Sequence, residues 1–331
     1  MILVTNILFL IIGFIGLIKG ADIFVDGSAG LAKKMRVPSV IIGLTIVAMG
    51  TSAPELCVSV TSALKGSSEI SISNVVGSNI FNLLMVLGIC AIISNVPIES
   101  DIIKRDFPFV SSITMILLAF PLLGGLKKDR VSSAFKSAKM NRNIADLGVV
   151  AGIVFLVLFV VYLAILIKAA RKNRETTVEE IKAFPLWKCL LFIVVGAALI
   201  IAGGQFVVNG AQKIARIAGI SETLIGLTII AVGTSLPELV TSIVASRKGE
   251  NGLAVGNAVG SNIFNILLII GVASVITPIS VNLATVIDIA VLLVITLITF
   301  LFSFTKRGIS RTEGIAMVAI YIGEVVFAII R

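Results

Sequence analysis

Long apolar runs, broken by short polar stretches, set the pattern of this chain. Ten of them, at about residues 2–26, 38–64, 70–96, 107–126, 147–167, 187–209, 221–246, 253–277, 283–304 and 312–330, reach the roughly 18 residues that a helix needs to cross a bilayer. A closed barrel would instead show short alternating strands. The pattern predicts an all-α integral membrane protein of ten transmembrane helices. The first run lacks the basic n-region and the small-residue cleavage site of a signal peptide, so it reads as the first of those helices.

Composition agrees with this reading. Of the 331 residues, 57% are hydrophobic and 14% charged, and the mean hydropathy is +1.12, outside the range of soluble domains. A formal charge of +9 raises the question of nucleic acid, but the basic residues stand in short loops, where they orient a membrane protein. With the N-terminus outside, 16 basic residues lie inside and 10 outside, six of the latter in the segment 124–147. The expected partners are the lipid bilayer and transported ions, with no nucleic acid, no obligatory protein partner and no cofactor. Cys57, Cys90 and Cys189 fall within spans, have no metal-ligand spacing and read as packing residues.

Polar residues inside the apolar runs carry more information. Residues 43–88 and 226–271 align without a gap at an offset of 183, with 24 identities in 46 positions. Gly-Thr-Ser, Pro-Glu and Gly-Ser-Asn-Ile-Phe-Asn all recur, which hydrophobic composition alone would not produce. Upstream, Asp26-Gly27 corresponds to Asn209-Gly210 and Lys33 to Arg216. Five spans separate equivalent positions, and an odd number turns the second half over. The expectation is two inverted-topology five-helix repeats, at 1–168 and 187–331, each with one cation-binding motif, joined by a polar cytoplasmic linker at 169–186.

The recurring motifs place a helix breaker beside a carboxylate. Pro54 offers no N–H to the carbonyl of Gly50, and Pro237 none to Gly233. Broken helices survive at membrane depth only where protein or a polar cavity surrounds them. Thr51 and Glu55 share a helix face, as do Thr234 and Glu238, Ser78 and Asn82, and Ser261 and Asn265. Packed face to face, these segments would enclose a cavity lined by those residues with Ser52 and Ser235. A midplane charge costs about 2.5–3.5 kcal/mol, and no Lys or Arg stands near either motif, so the compensating partner is a bound cation or protons. Ligands that are all oxygen favour hard ions such as Ca²⁺. The chain has no His, which argues against a soft transition metal.

The motifs GTS-x-PE and GSNIFN, present in both halves, closely resemble the α-repeats of the Ca²⁺/cation antiporter superfamily, specifically prokaryotic-type sodium/calcium exchangers. The resemblance implies counter-transport of Na⁺ and Ca²⁺ through one central site in the cell membrane, with Glu55 and Glu238 as Ca²⁺ ligands. It assigns Thr51, Ser52, Ser78, Thr234, Ser235, Ser261 and the carbonyls of Ala48 and Ala231 to Na⁺ or Ca²⁺, with Asn82 and Asn265 completing the ring. Some members, the potassium-dependent exchangers among them, carry an aspartate where this chain has Asn265. The proton/calcium branch resembles a GNA-x-E pattern where this chain has GTS-x-PE.

Proton or potassium coupling and a passive cation channel stand as alternatives. An intramembrane enzyme lacks a nucleophile or cofactor motif. The first span of each half is expected to move against the motif-bearing core. Lys19 and Glu324, without counterparts in the other half, read as snorkelling or interface residues, and Asp26 as a polar contact at a helix end.

Overall fold

A computed structural model describes residues 2–123, 143–172, 184–219, 229 and 231–330. Most of the basic segment 124–147, the middle of the linker and the start of the seventh apolar run lie outside the described residues. The helices are α1 (Ile2–Met35), α2 (Ser39–Thr51), α3 (Ala53–Leu64), α4 (Ser68–Ile93), α5 (Phe107–Leu123), α6 (Val149–Lys172), α7 (Leu186–Ile217), α8 (Ala231–Thr234), α9 (Leu236–Arg247), α10 (Asn251–Ile276), α11 (Leu283–Phe304) and α12 (Arg311–Ile330). Among the described residues six helices are long and apolar enough to cross a membrane, and the bent pair α2–α3 makes a seventh. α5 and α12 stand where the fourth and tenth runs were expected.

Burial sorts these helices into a centre and a periphery. In their most apolar stretches α4 and α10 are 72% and 78% buried by other helices, whereas α1, α6 and α7 are each 28% buried. The central pair carries the polar motifs, and the peripheral helices turn apolar side chains such as Val150, Val194 and Ile12 outward, as lipid requires.

Among the described residues α1 and α7 form the most extensive helix pair, and glycine is the reason. Gly13, Gly20 and Gly27 recur every seven residues on α1, and Gly196, Gly203 and Gly210 do so on α7. A β-carbon on Gly203 would lie 2.6 Å from Leu17 N and 2.7 Å from Gly13 O; one on Gly196 would lie 2.6 Å from Phe24 N, and one on Gly27 2.8 Å from Cys189 O. Contacts rise along one helix as they fall along the other, so the two run antiparallel. Small residues let membrane helices approach to backbone contact, where dispersion and packing replace the missing hydrophobic drive.

The two halves interlock elsewhere as well. Gly152 of α6 meets Gly271 of α10, and Gly314 of α12 meets Gly88 of α4, so the last helix of each half rests on the central helix of the other. Two short antiparallel ladders do the same: Val96–Pro97 pairs with Gly308–Ile309, and Asn143–Leu147 with Ile279–Asn282.

Several expectations change in detail. α1 and α7 run on to Met35 and Ile217 rather than ending near 26 and 209, because their last turns are polar and extend past the apolar stretch. Cys90 and Cys189 are buried, as packing residues would be, but Cys57 is exposed. Asp26 lies within α1 rather than at its end, and pairs with Lys248 at the end of α9.

Candidate functional site

The second apolar run is two helices meeting at 49°. The break falls on Ser52, at φ −82° and ψ 7°, and its counterpart falls on Ser235, at φ −93° and ψ 4°. Both lie in the sparsely used bridge between helical and extended backbone. Pro54 and Pro237 sit in the first turns of the helices that follow, where an N–H would have no intrahelical acceptor in any case. The prolines therefore restart the helix just after the break. The motif glycines also permit close packing. A β-carbon on Gly50 would lie 2.9 Å from the Phe24 ring of α1, and one on Gly233 would fall on Val208 Cγ2 of α7. Each broken helix is thus pressed against the first helix of its own half.

All ten side chains expected to line the cavity are buried: Thr51, Ser52, Glu55, Ser78, Asn82, Thr234, Ser235, Glu238, Ser261 and Asn265. The structure brings the two halves together by exchange. Ser52 Oγ donates to Glu238 Oε1 at 2.7 Å, and Ser235 Oγ lies 3.2 Å from Glu55 Oε1. Within each half, Ser78 lies 3.5 Å from Glu55 Oε1 and Ser261 lies 3.4 Å from Glu238 Oε1. Ser235 Oγ is also 2.9 Å from Ser78 Oγ. The Ala48 carbonyl, expected as a ligand, accepts from Ser52 N at 3.0 Å and Thr51 Oγ1 at 3.3 Å. The backbone of Ala231 opens the short helix before Ser235.

Six polar residues outside the expected set hold this arrangement. Asn79 and Asn262 exchange amide-to-carbonyl bonds of 3.3 and 3.1 Å across the centre. Asn82 Nδ2 donates to Asn262 Oδ1 at 3.2 Å, and Asn265 Nδ2 to Asn79 Oδ1 at 3.0 Å. Asn257 accepts from Thr51 Oγ1 at 2.9 Å and donates to Ser242 Oγ at 3.0 Å; its equivalent Asn74 donates to Ser59 Oγ at 3.2 Å. All six recur at the offset of 183, and that recurrence was the signal that could have found them. Asn82 and Asn265 each begin a π-helical turn, Asn82–Val86 and Asn265–Ile269, a local widening common at functional sites.

After this pairing, four acceptor oxygens remain buried without a donor: Glu55 Oε2, Glu238 Oε2, Asn82 Oδ1 and Asn265 Oδ1. A buried polar atom left unpaired costs about 1–3 kcal/mol, more when it is charged. These four atoms, one on each carboxylate and one on each amide, form a cluster of negative potential that a bound cation or protons relieve. The atoms are hard oxygens, which suit Na⁺ or Ca²⁺ and not a soft metal. Among the described residues no group of three or more His, Cys, Asp or Glu could hold a metal, so the charge of the cluster rests on its two glutamates.

Fold and chemistry together define a class, that of polytopic membrane transporters for cations. The sodium/calcium exchanger protein family matches the chain in two pieces, residues 5–168 and 188–330, and the chain belongs to that family. It is 38% identical over 327 residues to the putative antiporter CaxA of Alkalimonas amylolytica, covering 96% of each chain. It is 32% identical over 342 residues to the sodium/calcium exchanger MaX1 of Methanosarcina acetivorans, covering 97% of this chain and 98% of that one. Among solved structures, the sodium-calcium exchanger NCX_Mj soaked with Na⁺ and Sr²⁺ superimposes with a TM-score of 0.80 at 30% identity, over 98% of this chain and 99% of that one. The chain is a multi-pass cell-membrane protein of the cation/Ca²⁺ antiporters.

Proposed function

We propose that this protein exchanges Ca²⁺ for Na⁺ by alternating access at the central site. The observation that carries the reading is the set of four unpaired buried oxygens, two from each half. In this reading Glu55 and Glu238 hold Ca²⁺, and Thr51, Ser52, Ser78, Thr234, Ser235 and Ser261 serve Na⁺ or Ca²⁺ with the carbonyls of Ala48 and Ala231. Asn82 and Asn265 turn their free oxygens to the same ions. One Ca²⁺ or a set of monovalent ions neutralises the two carboxylates, but not both at once. That mutual exclusion couples the two fluxes. Sodium is the favoured counter-ion because the relatives MaX1 and NCX_Mj are sodium/calcium exchangers and because both ring positions, Asn82 and Asn265, are amides.

The ten crossings and the inverted repeats, 1–168 and 187–331 with the linker 169–186, belong to the same proposal. The antiparallel packing of α1 on α7 supports it, because these are the equivalent first helices of the two halves. The ladders support it independently. With ten alternating crossings, the loops that hold Val96 and Gly308 fall on the face of the linker, and those that hold Asn143 and Ile279 fall on the face of the two termini. Those are the strands that pair.

The test is uptake of radiolabelled Ca²⁺ into vesicles containing the purified protein, with Na⁺, K⁺ and H⁺ gradients imposed one at a time. Uptake driven by Na⁺ alone is the expected result. Uptake driven by a proton gradient alone makes the protein a proton-coupled exchanger, a K⁺ requirement makes it potassium-dependent, and flux without any counter-ion makes it a channel.

A further inference from the structure

The two halves differ where the motif-bearing helices end. Lys248 follows α9 as its C-cap, and its Nζ reaches back to α1. It lies 2.7 Å from Asp22 Oδ1, 2.6 Å from Asp26 Oδ1 and 3.0 Å from the Asp22 carbonyl. Two residues on, Glu250 stands 3.9 Å from Lys33 of the same helix. Burial works against the Lys248 ammonium, but hydrogen bonds to Asp22 and Asp26 and their charges carry its pKa above the usual lysine value.

The offset of 183 maps this cluster onto the opposite membrane face. Lys248 becomes Lys65, Asp22 becomes Gln205 and Asp26 becomes Asn209. Lys65 is exposed, and Gln205 Nε2 donates to Asn209 Oδ1 at 3.3 Å, so two neutral amides stand where the aspartates would be. Packing follows charge. α1 lies along α9, whereas α7, its counterpart, hardly touches α3.

We propose that Lys248, Asp22 and Asp26 form a one-sided latch that holds the linker face closed and biases the resting protein toward the state open at the terminal face. The inference rests on the alternating-access reading. A contact made in only one of two states adds its free energy to that state alone. The first helix of one half is clamped to the core by an ammonium between two carboxylates, and the equivalent clamp at the other face has been neutralised. Surface ion pairs are individually weak, so the latch sets a ratio of states and not an absolute lock. Screening by salt weakens it.

The test measures that ratio directly. Spin labels at Leu64→Cys and Ile217→Cys, both exposed, report opening and closing of the terminal face in nanodiscs, in a Cys57→Ser background. Lys248→Gln, or Asp22→Asn with Asp26→Asn, is expected to raise the short-distance population by about two- to fivefold, and Lys65→Gln to leave it unchanged. A molar salt of a cation that is not transported is expected to reproduce the Lys248→Gln shift in the unaltered latch, an arm that needs no variant at the latch to fold, and to add little in Lys248→Gln. Gln205→Asp with Asn209→Asp, which gives Lys65 a mirror clamp, is expected to shift the population in the same direction. Two populations whose ratio ignores both Lys248 and salt overturn the latch alone. A single population under every ionic condition overturns the latch and alternating access together.

Discussion

Glu55 and Glu238 meet nearly the same surroundings, whereas Lys65 and Lys248, ten residues further along the same two segments, do not. Each glutamate takes a serine from the opposite half and another from its own, and keeps one oxygen free. Each lysine ends a motif helix, but only Lys248 finds carboxylates on the neighbouring first helix. The contrast separates two demands. On the alternating-access proposal, a site reached from both faces in turn holds the same ions in either state, which keeps its two halves alike. The balance between the states is then free to be unequal, and the proposed latch sets it at the helix ends.

That contrast can be broken at the centre first. Glu55→Gln and Glu238→Gln are each expected to remove on the order of 2–5 kcal/mol of cation binding, about thirtyfold or more, read as Na⁺-driven Ca²⁺ uptake in vesicles. The two losses should match, and one variant that transports normally would end the idea of a shared site.

The glycine seam offers the next largest effect. Gly20→Leu and Gly203→Leu occupy equivalent positions, and each new side chain would start within 3 Å of backbone on the partner helix. Overpacking of this kind costs about 1–3 kcal/mol or more, so both should lower the melting midpoint of the purified protein by similar amounts. A large loss for one and none for the other would show that the two first helices are not equivalent.

A smaller effect sharpens the exchange of serines. Ser52→Ala and Ser235→Ala each delete a hydroxyl that reaches the opposite carboxylate, worth about 1.5 kcal/mol or tenfold in ion affinity, measured by Ca²⁺ titration of the purified protein. Equal shifts are expected. The helix ends come last, where Lys248→Gln is expected to move the state ratio and Lys65→Gln is not.

Much of the fold was legible because its signals are local. A bilayer forces each crossing to carry a continuous apolar run, so α1, α4, α6, α7, α10 and α11 could be counted from composition. The duplicated Thr51-Ser52-Pro54-Glu55 and Ser78-Asn82 patterns marked the site because hydrocarbon penalises polar residues that find no partner. The break at Ser52 was less legible, since proline announces a disruption without saying which residue bends. Asn79, Asn262, Asn257 and Asn74 were passed over although they recur in the repeat, because an asparagine in a helix carries no sign of which distant carbonyl it will meet.

The amino-acid sequence by itself determined that this chain lives in a membrane, that it is helical, that it is built twice and that two glutamates stand among hydroxyls and amides. Those properties follow from residue type, from spacing and from identity between segments. Only the tertiary structure decided which oxygens of the central cluster are left without a donor once its serines and asparagines have paired. It also decided that the glycines of α1 and α7 face one another, and that Lys248 closes on Asp26, 222 residues away. Each of these depends on groups from distant parts of the chain arriving within a few ångströms, and no local pattern encodes that distance.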